Sequence, residues 1–95
     1  MTDRLLVQRE VEIVNRAGMH ARPAAAFVKI AGRFASAIRV EKDGLEVNGK
    51  SVMGVLMLAA ERGSRLRLSA QGKDAEAAVD ALADLVGRGF EEMDA

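Results

Sequence analysis

The 95-residue chain contains no cysteine. That excludes a disulfide staple, a thiolate metal site and a thiol nucleophile, and it suits a reducing compartment. Tryptophan and tyrosine are also missing, and the only aromatic side chains are three Phe. The core must therefore be aliphatic and alanine-rich, and little is available on which a nucleobase could stack. Neither sign of charge prevails, since 14 Lys and Arg balance 14 Asp and Glu. Without a basic excess there is no electrostatic footprint for nucleic acid, and no such partner is expected. No apolar run approaches the length of a bilayer span. The opening MTDRLLVQRE lacks the apolar core and small-residue cleavage site of a signal peptide. The expected address is the cytoplasm, with no membrane partner. Proline and histidine occur once each, three positions apart, in GMHARPA at residues 18–24.

What is present reads as one domain over residues 1–95, with a pattern that switches between period two and period 3.6. VQREVEIVN alternates as a strand with Val11 and Ile13 inward. RPAAAFVKIAG sets Ala24, Phe27, Val28 and Ala31 on one helical face, and Gly32 stops it. SAIRVEKDGLEVNGK alternates Ile38 and Val40, turns at Asp43-Gly44, and alternates Leu45 and Val47. An Asp-Gly pair between alternating runs predicts a hairpin. SVMGVLMLAAERG is a short apolar helix capped by Ser51. SRLRLSAQG alternates Leu66, Leu68 and Ala70. DAEAAVDALADLVGRG begins at Asp74 as cap and aligns Ala75, Ala78, Val79, Leu82 and Val86. The order β-α-β-β-α-β-α predicts an α+β fold: a four-stranded, mainly antiparallel sheet with three helices on one face. The final helix is expected to supply the largest share of the core.

His20 falls where the first helix begins. Pro23 suits the first turn, where a missing N–H costs nothing, and Gly18 lets the chain turn sharply before it. A helix N-terminus presents unpaired N–H groups and the positive end of the dipole, which together favour an anion. Arg22 adds a planar cationic donor fork. As a surface residue His20 could serve as a cap, but histidine caps poorly. No second His and no Cys accompanies it, so a metal centre is not expected. A general base would need a nucleophile or an acid-base partner, and none is placed locally. What remains is histidine as nucleophile, accepting a group that is anionic after transfer. A phosphoryl group fits.

GMHARPA, followed further along by NGKSVMGVLMLAAERG, resembles the HPr family, the histidine-containing phosphocarriers of the bacterial phosphotransferase system. The resemblance spans nearly the whole chain and implies the family's open-faced β-sandwich. It implies that enzyme I, phosphorylated from phosphoenolpyruvate, passes a phosphoryl group to Nδ1 of His20, which hands it to an enzyme IIA domain. His20, Ala21 and Arg22 would then form the phosphoryl site. The chain would be a monomeric carrier with a covalent phosphohistidine intermediate rather than an independent enzyme, and no cofactor or metal is implied. Ala17 departs from the small polar residue, Ser or Asn, common in the family three positions before the histidine. A side-chain bond that orients the loop is expected to be missing, at the expense of transfer rate. Met19 stands where Leu or Ile is commoner, a matter of packing.

The second motif is too apolar for an ordinary surface helix. A short helix buries one stripe, here Val55 and Leu58, which leaves Val52, Met53 and Leu56 partly exposed. Clustered exposed hydrophobes mark an interface, and Met adapts to several partners. The resemblance makes this patch and the histidine loop the docking face for enzyme I and IIA domains. It also makes Ser51 a target of HPr kinase/phosphorylase, where a phosphoserine adds about −1.5 to −2 charge beside the patch. Lys50 reads as a solvated charge, with a recognition or neutralising charge as the alternative. VEIVNRAGMHARPA, SVMGVLMLA and GRGFEEMDA look more like the regulatory, nitrogen-related branch than the sugar carriers. A binding module that regulates partners by contact, with Ser51 as switch, is the reading from another class.

Overall fold

The alternating segments form strands, and the helical stripes cover them on one side. The computed structural model describes residues 5–91. In chain order these residues form β1 (Leu5–Glu12), α1 (Ala21–Ala31), β2 (Ala37–Lys42), β3 (Leu45–Asn48), α2 (Val52–Met57), β4 (Arg65–Gly72) and α3 (Ala75–Gly87). The strands make one sheet in the order β1-β4-β2-β3, and every neighbouring pair is antiparallel. No helix among the described residues is long and apolar enough to cross a membrane.

Register explains which side chains meet the helices. Leu68 of β4 lies opposite Arg9 on one side and Val40 on the other, and Ala70 lies opposite Val7 and Ile38. Leu66, Leu68, Ala70, Ile38, Val40 and Val47 are buried on this face. The intervening positions form the open face, where Arg65 pairs with Glu10 at 3.4 Å and Arg67 with Glu41 at 3.2 Å. Such exposed pairs contribute at most about 1 kcal/mol each. Asp43 and Gly44 both have positive φ, 52° and 89°. That is the twist a two-residue hairpin requires, and it brings Lys42 opposite Leu45.

α3 packs across β1 and β4. It buries Ala75, Ala78, Val79, Leu82, Leu85 and Val86, against Pro23, Ala24, Phe27 and Ala31 of α1 and Val55 alone of α2. The final helix does supply most of the helical core. Ile13, expected inside the first strand, is fully buried just beyond its end, where its N–H donates to the Ser64 carbonyl at 2.9 Å. A short 3-10 turn at Gly89–Glu91, which the sequence patterning does not predict, buries Phe90 after α3. The rest of the GRGFEEMDA ending, residues 92–95, lies outside the described residues.

Two expectations need correction. Asp74 occupies the N-cap position of α3 but makes no side-chain cap bond. Its carboxylate accepts instead from the backbone N–H groups of Ala35 (2.8 Å) and Ser36 (2.9 Å) and from Ser36 Oγ. The residue therefore ties the start of α3 to the entry of β2. Lys50 is not a solvated charge, because its Nζ donates to the Phe34 carbonyl at 2.7 Å and anchors the segment after α1.

Candidate functional site

The β1–α1 connection carries the chain's one histidine, and its course is set by the backbone around Gly18. Gly18 has φ 74°, and a Cβ there would lie 2.6 Å from the Ala60 carbonyl oxygen. Only glycine accepts both the left-handed backbone and that approach. The next residue, Met19, is buried and donates its N–H to the same Ala60 oxygen at 2.8 Å. The loop is thus seated on the segment that follows α2.

His20 comes next, exposed, as the N-cap residue of α1 with extended backbone (φ −93°, ψ −165°). Its side chain makes no cap bond to the helix. The helical ladder starts with the Ala24 N–H donating to the His20 carbonyl at 2.9 Å. The N–H groups of Ala21 and Arg22 precede that bond, and Pro23 has none to offer. The terminus keeps its donors pointed outward at the positive end of the helix dipole. Ala21 and Arg22 are exposed beside the imidazole, while Pro23 and Ala24 turn into the core. The ion pairs among the described residues lie on the sheet, between β1 and α3, at the hairpin turn and at the end of α3, and none engages Arg22. An imidazole, unspent helix donors and an uncommitted guanidinium therefore share one exposed corner. That arrangement can hold a tetrahedral anion attached to histidine.

α2 borders this corner through its packing on α1 and the Ala60 contact. Ser51 caps it as its sequence suggests, with Oγ accepting from the Gly54 N–H at 3.0 Å. Val55 and Leu58 are buried, Val52 and Met53 are 38% and 73% exposed, and Leu56 is half-buried against the core. Met57, omitted from the sequence-derived patch, is 65% exposed and extends it. Its signal lay in the helix's short length, since a final residue one turn after Met53 shares that residue's face.

The other residue that sequence reasoning missed is Asn15. Ala17 is exposed and bears no orienting side chain, but Asn15 is fully buried and donates from Nδ2 to the Gly18 carbonyl at 2.9 Å. The signal available in the sequence was an Asn three residues before a Gly, between the first strand and the first helix.

A family profile described as "PTS HPr component phosphorylation site" matches residues 7–88. The chain is 41% identical to phosphocarrier protein HPr of Cupriavidus necator over 87 residues, covering 92% of this chain and 98% of that protein. It is 47% identical to the HPr-like protein Crh of Bacillus subtilis over 81 residues, covering 85% and 95%. Among solved structures, HPr of Thermoanaerobacter tengcongensis superposes with TM-score 0.88 at 48% identity, covering 90% of this chain and 97% of that one. Crh of Bacillus subtilis, solved as a dimer with a swapping domain, superposes with TM-score 0.71 at 46% identity, covering 86% and 94%. That dimer weighs against the expectation of a monomer. With a family profile matched over residues 7–88, curated relatives at this identity over nearly its full length and a fold shared with solved HPr structures, the chain belongs to the HPr family of phosphotransferase-system phosphocarriers.

Proposed function

We propose that His20 carries the phosphoryl group, taking it from enzyme I and giving it to an enzyme IIA domain in the cytoplasm. The observation that carries this reading is an exposed histidine at the N-cap of α1 that does not cap the helix with its side chain. In the first transfer the lone pair of Nδ1 attacks phosphorus in line. The P–N bond to the enzyme I histidine breaks, and its electron pair leaves with that imidazole. The second transfer repeats the step with His20 as leaving group. Phosphoryl transfer leaves little covalent work for the protein beyond positioning and charge stabilisation. The Ala21 and Arg22 N–H groups and the Arg22 guanidinium face the phosphoryl oxygens in both directions. Val52, Met53 and Leu56, extended by Met57, are the apolar docking surface for both partners.

The branch is the regulatory, nitrogen-related one, supported by the resemblance of VEIVNRAGMHARPA and SVMGVLMLA, and the sugar carriers are the alternative. Ser51 is the site at which HPr kinase/phosphorylase would place a charge beside the patch. Incubation with enzyme I and phosphoenolpyruvate is expected to add one acid-labile phosphate, absent from His20→Ala. An acid-stable label, or equal labelling of the variant, overturns the reading. Chasing the label into purified IIA proteins of each branch decides between the branches. Similarity to Crh favours a second reading, regulation by contact with Ser51 as switch. Wild-type partner regulation by His20→Ala would establish it.

A further inference from the structure

The peptide unit between Gly18 and Met19 is held at both ends. Its N–H, on Met19, donates to the Ala60 carbonyl at 2.8 Å. Its carbonyl, on Gly18, accepts from Asn15 Nδ2 at 2.9 Å and from the His20 N–H at 3.0 Å. The Gly18 N–H closes back on the Asn15 carbonyl at 3.2 Å. One buried side chain therefore fixes the plane whose oxygen also holds the backbone of His20. The rest of this clamp is main chain, and Asn15 ties it to a buried side chain. The helix cannot do this work, because its first ladder bond reaches back no further than the His20 carbonyl.

We propose that Asn15 is the positioning residue of the His20 loop, fixing the imidazole against the donors of α1 for phosphoryl transfer. The inference rests on His20 as the phosphoryl carrier. Asn15 touches no substrate and acts through the Gly18 carbonyl. It supplies from within the fold the orientation that Ala17, exposed and apolar, cannot. Removing the amide leaves the peptide unit held by main-chain bonds alone, from its N–H to the Ala60 carbonyl and from the His20 N–H to its own carbonyl, and loosens the tilt of its plane. The cost falls on alignment rather than on encounter, because the docking residues of α2 are untouched. Misplacement by even an ångström costs transfer about a hundredfold.

The test measures kcat and KM for transfer from phosphorylated enzyme I, with denaturant stability in parallel, on wild type and Asn15→Ala. A drop in kcat of about ten- to hundredfold with KM within about twofold is expected. Asn15→Ala folded at the assay temperature and transferring at the wild-type kcat overturns the proposal. Should the alanine variant not fold, Asn15→Asp keeps the shape and tests the donor itself. An ionised carboxylate only accepts, whereas a protonated one can donate to the Gly18 carbonyl. The kcat of Asn15→Asp relative to wild type at the same pH should therefore rise as pH falls. A flat ratio overturns the proposal. Wild type that takes no label at His20 refutes the phosphocarrier reading, and with it this one. Labelled wild type beside an equally fast alanine variant refutes the role of Asn15 alone.

Discussion

α1 and α2 both start after a residue with extended backbone, and they treat their N-termini in opposite ways. Ser51 turns its hydroxyl onto the Gly54 N–H and closes the terminus of α2. His20 makes no such bond and leaves the first donors of α1 to whatever arrives from outside. A cap of the Ser51 kind contributes about 1 kcal/mol. α1 forgoes it and is held by its apolar face, where Pro23, Ala24, Phe27 and Ala31 are all buried. The stability that one helix takes from its cap, the other takes from the core. The difference is what the proposed function builds on, since the phosphoryl site it assigns is the terminus without a side-chain cap.

The sharpest way to break this contrast is to close the open terminus. His20→Ser is expected to abolish phosphoryl acceptance while stabilising the fold by up to about 1 kcal/mol, because serine caps. Labelling and urea denaturation on the same preparation measure both. A variant less stable than wild type would mean that the contacts of His20 outweigh what a serine cap adds. Arg22→Ala is the next largest change. It removes a charge-assisted contact of about 1.5–3 kcal/mol, which is a rate loss of about ten- to a hundredfold or more. Its denaturation midpoint should stay at the wild-type value, since Arg22 is exposed and joins none of the ion pairs among the described residues. Unchanged transfer would return Arg22 to an ordinary surface charge.

What the sequence made legible here is what is local. The Ser51 cap, the Asp43-Gly44 hairpin and the buried stripe of α1 each follow from residues within a turn or two of one another. The histidine, arginine and proline of the corner are consecutive or nearly so, and the motif alone placed them at a helix start. What stayed hidden depends on partners distant along the chain. Lys50 reads as solvated until folding brings Phe34, sixteen residues earlier, within reach of Nζ. Asp74 reads as a helix cap until Ser36, 38 residues away, takes its carboxylate. Asn15 has its main contact only three residues away, but its importance comes from Ala60 holding the other end of the same peptide unit. Met57 was missed for another reason: periodicity gives faces, but not where the helix stops.

Ser51 allows the closed terminus to be tested without opening the other. Ser51→Ala should lose about 1 kcal/mol of stability and keep transferring phosphoryl groups. Ser51→Asp should remain folded, because a carboxylate caps and suits the dipole. Its charge lies beside Val52 and Met53, so transfer from enzyme I should slow through a higher KM rather than a lower kcat. If both variants transfer at the wild-type rate, Ser51 is a cap and nothing more.

The smallest expected effect concerns the third helix, whose N-cap residue turns its side chain away from its own terminus. The Ser36 hydroxyl, first, and then the Ala35 N–H hold the Asp74 carboxyl below its ordinary value of 3.8. A carboxyl with a lowered folded pKa binds its proton more readily in the unfolded chain than in the native one. Its contribution to stability is therefore full above the unfolded value and is lost as pH falls through the folded value. Asp74→Asn keeps the shape and one acceptor but loses the charge. It should be less stable than wild type at neutral pH, and the gap should narrow only below the ordinary carboxylate range. Urea midpoints for the two proteins along an acid series measure that gap. Curves that stay parallel through the acid range would show that the link from α3 to β2 does not depend on the ionised carboxylate.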